Sequence, residues 1–226
     1  MQLLTLSKKV SKHLKISRKK AEEVIKKGFI LVNKIEEKRP FIKILDGSTI
    51  EIKKKFNVKK IQLLIFNKPK GCITTRNDER KRKTIYDFLP KRFNNFHYIG
   101  RLDFNSEGLL LLTDNTNLKK KLEDPKSEIV RRYIVKVEGS LNDKKLKSMN
   151  QKIYSEFTYK KPNIKIINQR KNEGLVMFEL KEGKNREIRK ICDLFNLRVI
   201  NLKRVSFGKY HLKNIPLGSY RNMTIE

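Results

Sequence analysis

Only two cysteines and three histidines occur in the 226 residues, and tryptophan is absent. Cys72 and Cys192 lie far apart with no C-x-x-C spacing, so neither a disulfide framework nor a zinc site is indicated, and a reducing compartment fits best. No apolar run approaches the roughly 20 residues needed to cross a bilayer. The densest is residues 109–112. No metal, no membrane partner and a cytoplasmic location are therefore expected. A Gly-rich phosphate loop and an internal repeat are also lacking.

Acids are scarce as well. Asp and Glu number 24 against 55 Lys and Arg, a formal charge of +31, and none falls in the first 21 residues. That charge would weaken any compact state by self-repulsion unless a polyanion neutralises it, and nucleic acid is the obvious polyanion. A Lys-, Ile- and Asn-rich compositional bias accounts for part of the excess, so charge alone is a first indication only. What is present supports a globular chain: 38% hydrophobic residues and twelve Phe, richer than a disordered chain of this charge. The length suits one medium domain with a small appendage, and no exposed apolar stripe asks for a second copy, so a monomer is expected.

The appendage comes first. Leu6, Val10 and Leu14 recur every four residues behind Ser7, which predicts a short amphipathic helix capped by that serine. A second helix follows, with Ser17 as its cap, Ala21, Val24 and Ile25 as its apolar face, and Gly28 where a left-handed residue is wanted. Residues 29–33 and 50–52 read as strands, with a turn at Asp46-Gly47-Ser48. Arg18, Lys19 and Lys20 occupy the first turn of the second helix, where the macrodipole favours acids by about 0.3 to 1 kcal/mol. Exposed amides with three cations suit a docked phosphate, although solvated lysines in a Lys-rich chain would look the same. The stretch ISRKKAEEVIKKGFILVNKIEE followed by LDGSTIEI resembles an S4 RNA-binding domain over residues 2 to about 55. The resemblance implies an RNA-facing surface on the second helix and the turn at Gly28, which adds Lys27 to Arg18, Lys19 and Lys20. It also makes the acid-free start part of the fold rather than a transit peptide. The basic residues 53–60 read as a linker that can track phosphates.

From residue 61 short strands are predicted at 62–67, 97–100, 109–113, 133–138, 164–168 and 175–180. Helical stretches fall near 84–89, 118–123, 141–149 and 186–195. The pattern indicates an α+β chain: a small N-terminal module over residues 1–60, then a domain over 61–226 on a mixed, mainly antiparallel sheet.

Three local features could carry chemistry. Gly100-Arg101-Leu102-Asp103 leaves a strand and re-enters one through Asn105-Ser106-Glu107-Gly108, and an Asp there is ordinarily turn chemistry. In residues 131–137, Tyr133, Val135 and Val137 share one strand face, where a Tyr is ordinarily core. In Glu182-Gly183-Lys184-Asn185-Arg186-Glu187-Ile188-Arg189, Asn185 is expected to cap a helix whose apolar stripe is Ile188, Ile191, Cys192 and Phe195. Arg189 lies beside that stripe, placed either to snorkel or to pair with a buried carboxylate.

Together and in order, NKPKGCITTRND, YIGRLDFNSEGLLLLTDN, RRYIVKV, LKEGKNREIRKI, NLKRVSFGKYHL and PLGSYRNMT resemble the RsuA/RluB family of ribosomal RNA pseudouridine synthases over nearly the whole chain. The resemblance implies that Asp103 is the catalytic carboxylate, Tyr133 the aromatic beside the uracil, and Arg189 the cation pairing with Asp103. It further implies substrate contacts by Lys68, Arg101, Arg186 and Arg204, and no cofactor. Its partner would be ribosomal RNA. Glu187 stands where Gln is frequent in the family, which points to a 23S rather than a 16S substrate. Two other readings explain parts of the sequence: a noncatalytic ribosomal RNA assembly factor, and a basic DNA-binding regulator that leaves every block after residue 61 unexplained.

Overall fold

The computed structural model describes residues 3–53, 60–154 and 158–225. The expected linker therefore falls largely outside the described residues. The first stretch holds β1 (Leu3–Thr5), α1 (Leu6–His13), α2 (Arg18–Lys26), β2 (Ile30–Val32), β3 (Ile35–Glu36), β4 (Lys43–Leu45) and β5 (Ile50–Ile52). Leu6, Val10, Ala21, Val24, Ile25 and Ile30 bury into one small core of their own. As expected, the Ser17 hydroxyl accepts the Lys20 amide at 3.2 Å, and Gly28 takes φ +73° beyond the end of α2.

The first helix begins differently from the expectation. Thr5, not Ser7, stands at its N-cap and contributes no side-chain bond, and Ser7 is buried inside the helix. The reason is strand pairing that periodicity did not reveal: β1 lies antiparallel to β4. The carbonyls of Ile42 and Pro40 take the Leu6 and Ser7 amides at 2.8 Å each, so the helix start needs no side-chain cap.

The remainder contains β6 (Ile61–Lys68), β7 (His97–Ile99), β8 (Glu107–Thr113), α3 (Thr116–Glu123), β9 (Arg131–Glu138) and α4 (Asp143–Met149). After these come β10 (Ile153–Tyr154), β11 (Thr158–Tyr159), β12 (Asn163–Arg170), β13 (Glu173–Leu180), α5 (Glu187–Leu194), β14 (Arg198–Phe207), β15 (Tyr210–His211) and β16 (Tyr220–Ile225). The main sheet runs β12-β13-β9-β14-β8-β6-β16, with β15 beside β14 and β7 beside β8. The β14–β8 contact is parallel; the other described neighbours in this sheet pair antiparallel, so the α+β, mainly antiparallel class holds. Cores cover both faces. Leu64, Phe66, Leu110 and Leu112 face one side with α5, whereas Leu63, Ile65, Leu109 and Leu111 face the other. This is why β6 and β8 read as unbroken apolar runs without alternation. The stretch at 84–89 is only a single 3-10 turn, Ile85–Phe88, closed by a capping box from Thr84 and Asp87.

Two side chains tie the N-terminal unit to the rest. Asn115 Nδ2 donates to the Lys15 carbonyl at 2.8 Å, and Asn117 Nδ2 to that of Ile16 at 2.9 Å. The turn between α1 and α2 thus rests on the start of α3.

Candidate active site

Asp103 sits on the loop between β7 and β8, and four side chains hold that loop by its main chain. Lys68, at the end of β6, is fully buried. Its ammonium donates to the carbonyls of Pro69 and Asp103 at 3.0 Å each and of Ser106 at 2.9 Å. Thr74 Oγ1 donates to the Leu102 carbonyl at 2.8 Å. Glu123 of α3 accepts the Gly100 amide at 2.8 Å, and Arg189 of α5 donates from Nη2 to the Asn105 carbonyl at 3.0 Å. With its backbone so constrained, the half-buried Asp103 side chain projects into a cavity of about 670 Å³. That volume suits a nucleoside-sized ligand.

The cavity also takes Arg101, Tyr133, Arg186, Arg189 and Arg204 from the expected set. Tyr133, on β9, is 8% exposed, and its row is flanked by Phe178 on β13 and Arg204 on β14. Arg101 and Arg186 stand exposed at the rim. In the N-terminal unit, Arg18, Lys19, Lys20 and Lys27 are all exposed. Lys20 is already engaged with Glu23 at 2.7 Å.

Two expectations need correction and a third is narrowed. Among the described residues no ion pair within 4.0 Å joins Arg189 to Asp103; the guanidinium grips the Asp103 loop through Asn105 instead. Asp103 is half-buried rather than dry, so it lacks the full desolvation that would require a bidentate partner. The two groups still sense each other: burial depresses the Arg189 guanidinium's affinity for its proton, Arg186 adds to this, and the Asp103 charge opposes it. Second, Lys68 is no surface contact for RNA, because its ammonium is consumed by three carbonyls inside the fold. Burial lowers its proton affinity, countered by Cys72, Asp103 and Glu107. Third, Arg204 is 2% exposed, with Nε donating to the Leu109 carbonyl at 2.7 Å, so any ligand it meets must lie within the cavity.

A smaller correction concerns α5. Arg186, not Asn185, is its N-cap, with φ +52° and no capping side-chain bond. The Lys184 amide is instead taken by Glu187 Oε2 at 3.0 Å. This geometry turns Glu187 inward, and it is 3% exposed on the cavity wall. Its inward position is readable in hindsight, since it precedes Ile191 by one helical turn on the stripe that packs into the core. Arg131, half-buried on the same wall, was also not singled out; its guanidinium lies 4.8 Å from the Phe207 ring centre and donates to the Ile129 carbonyl at 2.9 Å.

Burial pushes the Glu187 carboxyl from an ordinary 4.5 up to about 7; the Lys184 amide opposes the rise, and the adjoining Glu182 carboxylate adds to it. The folded state therefore retains a proton that the unfolded chain releases above its ordinary carboxylate range. The associated stability is complete below that range and is lost as pH rises towards and through 7. A shift of this size corresponds to on the order of 3 kcal/mol. Thermal melts should show the protein losing stability between about pH 5 and pH 8, and Glu187→Gln removing most of that loss. Parallel pH dependences in the two proteins would contradict this assignment.

Among the described residues no group of three or more His, Cys, Asp or Glu side chains is arranged to hold a metal ion. No described helix is long and apolar enough to cross a membrane.

Comparison with known proteins gives a consistent picture. Residues 62–194 match the RNA pseudouridylate synthase family. An uncharacterized RNA pseudouridine synthase of Rickettsia typhi is 35% identical over 97% of this chain and 91% of its own length. The ribosomal large subunit pseudouridine synthase B of Bacillus subtilis is 30% identical over 92% of this chain and 87% of its own. A crystal structure of a pseudouridylate synthase superposes with a TM-score of 0.67 at 22% identity, covering 98% of this chain and 96% of that one.

Proposed function

The chain belongs to the RNA pseudouridylate synthase family, and from that premise we propose that it isomerises one uridine of ribosomal RNA, in the large subunit's 23S RNA, using Asp103 as the reacting carboxylate. The observation that carries this reading is the convergence of Asp103, Tyr133 and Arg189 on one cavity, with the Asp103 loop fixed by its backbone and its carboxyl left available. The large-subunit assignment is supported by the name of the Bacillus subtilis relative and by Glu187 in the N-R-E-I-R block.

Pseudouridine formation breaks the N1–C1′ bond, turns the uracil, joins C5 to C1′, and moves one proton from C5 while N1 gains one. It is redox-neutral and needs no second substrate. One carboxylate suffices: it either adds at C1′ or removes the neighbouring sugar proton. A second carboxylate positioned to activate water, as in glycosidases, would instead hydrolyse the detached sugar. Arg189 contributes field and loop geometry. Tyr133 offers an aromatic face for the base.

The target must leave its stack, at a cost of a few kcal/mol in a duplex and less in a loop. In our reading residues 3–53 act as an S4-like module whose exposed Arg18, Lys19, Lys20 and Lys27, with Arg101 and Arg186 at the rim, offset that cost by phosphate contacts. Affinity for a ribosomal RNA fragment should fall steeply with salt. Replacing Arg18, Lys19 and Lys20 by Ala should reduce the log–log slope by about 2; an unaltered slope would remove these residues from the RNA surface. The assignment of substrate is tested by incubating the chain with transcripts of each subunit's RNA and mapping pseudouridine by carbodiimide-blocked primer extension. A new stop in the large-subunit transcript is expected; one confined to the small-subunit transcript would reassign the target. A stop in neither would favour a noncatalytic role in assembly.

A further inference from the structure

The loop that displays Asp103 also displays an aromatic ring for which the chemistry above has no use. Phe104 is 41% exposed. A lone exposed apolar side chain is ordinary on a protein surface, but the backbone beneath this one is fixed at every step. From residue 102 to residue 106 each carbonyl accepts a hydrogen bond: Leu102 from Thr74 Oγ1, Asp103 and Ser106 from the Lys68 ammonium, Phe104 from the Gly71 amide at 3.0 Å, and Asn105 from Arg189. The ring is therefore held out from a braced turn.

Its place relative to the cavity is specific. Asp103 and Ser106 line the cavity and Phe104 does not. The consecutive side chains of Asp103 and Phe104 thus diverge at the mouth, the half-buried carboxyl inwards and the exposed ring outwards. Nothing crowds the backbone beside it: Gly71, whose amide meets Phe104, has φ +76° and no atom within 4 Å of where a Cβ would stand. Exposed cations flank the ring in sequence, Lys70 before that glycine and Arg101 two residues before Asp103. Other exposed large apolar side chains, such as Phe41 and Leu217, lie elsewhere in the chain.

Resting on the reading of Asp103 as the reacting carboxylate, we propose that the Phe104 ring stacks on a base adjoining the extruded uridine. When a uridine swings into the cavity its ribose must reach Asp103, so its neighbour in the strand lies just outside the mouth, where the ring stands. Extrusion also strips that neighbour of a stacking partner. The ring covers the face so uncovered and keeps the uridine from returning. Every base presents such a face, so the contact supplies energy without reading sequence. Lys70 and Arg101 are placed to hold the adjoining phosphates. Because the contact exists only after the uridine has left its stack, it belongs to the reactive conformation and not to the first docking of stacked RNA, which the phosphate contacts supply. Its loss should lower the saturating rate and leave half-saturation nearly unchanged.

The test is single-turnover tritium release from transcripts of each subunit's RNA labelled at uridine C5, followed against enzyme concentration. Phe104→Ala should lower the saturating rate at least about fivefold, keep half-saturation within about twofold of wild type, and melt with wild type as a surface change does. Phe104→Trp should recover the rate to within about threefold of wild type, since an indole stacks at least as well as a phenyl. That variant carries the chain's only tryptophan, whose emission should be quenched, and shielded from acrylamide, when the RNA that serves as substrate binds. A loss under about fivefold in Phe104→Ala overturns the inference, as does a loss confined to half-saturation. So does tryptophan emission that the RNA leaves unquenched. A wild-type chain that releases tritium from neither transcript strikes the parent reading instead, and the tryptophan signal then decides alone: quenching and shielding by RNA preserve the stacking contact, and their absence overturns it.

Discussion

Asp103→Asn is expected to eliminate turnover while leaving the fold in place. Asn preserves the shape and the hydrogen bonds of the loop, since those bonds are made by the backbone of residue 103 and its neighbours rather than by the carboxyl. No ion pair within 4.0 Å is lost among the described residues, and the side chain is only half-buried, so stability should change by less than about 1 kcal/mol. Under the proposed chemistry the oxygen that disappears is the one that reacts with the sugar, and loss of a reacting group typically costs about four to six orders of magnitude in rate. Single-turnover tritium release from C5-labelled ribosomal RNA, set beside a thermal melt, separates the two effects. A variant retaining activity within about tenfold of wild type would mean that Asp103 is not the group that reacts.

Gly108→Ala should produce the largest loss of stability. At this point β8 and β14 run parallel, with Gly108 opposite Arg204. A Cβ on residue 108 would meet the Arg204 carbonyl oxygen in hard overlap, its amide nitrogen at 2.8 Å and its carbonyl carbon at 3.0 Å, and φ is +105°. All three obstacles are backbone in the centre of the main sheet, so no rotamer change relieves them. The strands must separate or the register must shift. An expected cost of about 3 kcal/mol or more follows from backbone strain together with lost packing. Denaturant unfolding measures it directly, and a change under about 1 kcal/mol would show that the two strands yield more readily than this contact implies. Activity should fall as well, because Arg204 on β14 and the Asp103 loop leading into β8 both border the cavity.

The legible and illegible parts of the sequence differ for physical reasons. Residues 62–67 and 109–113 were readable as strands because both of their faces are buried, which leaves continuous apolar runs between turn residues. The second helix was readable because Ser17 and Gly28 mark its ends by local chemistry alone. β14 escaped although it lies at the centre of the sheet: its buried row includes Arg204, and Lys203 alternates with it, so the segment looks like a solvated basic stretch. β1 and β4 escaped because a three-residue strand has no periodicity, and their pairing is visible only in three dimensions. Asp103, Tyr133 and Arg189 were reached through a family resemblance, since each alone has an ordinary structural explanation. Spacing could not reveal that Arg189 grips the loop through Asn105 or that Lys68 is a buried clamp; for Glu187 it shows the inward face of α5 but not the cavity which that face borders. Each depends on which way a side chain turns from an element whose position the sequence does specify.

The most direct test of the account uses ribosomal RNA from cells lacking the chain and from the same cells supplied with wild type or Asp103→Asn, mapped by carbodiimide-blocked primer extension. The account predicts one large-subunit stop that is absent without the chain, restored by wild type and not restored by Asp103→Asn. Restoration of that stop by Asp103→Asn would contradict it.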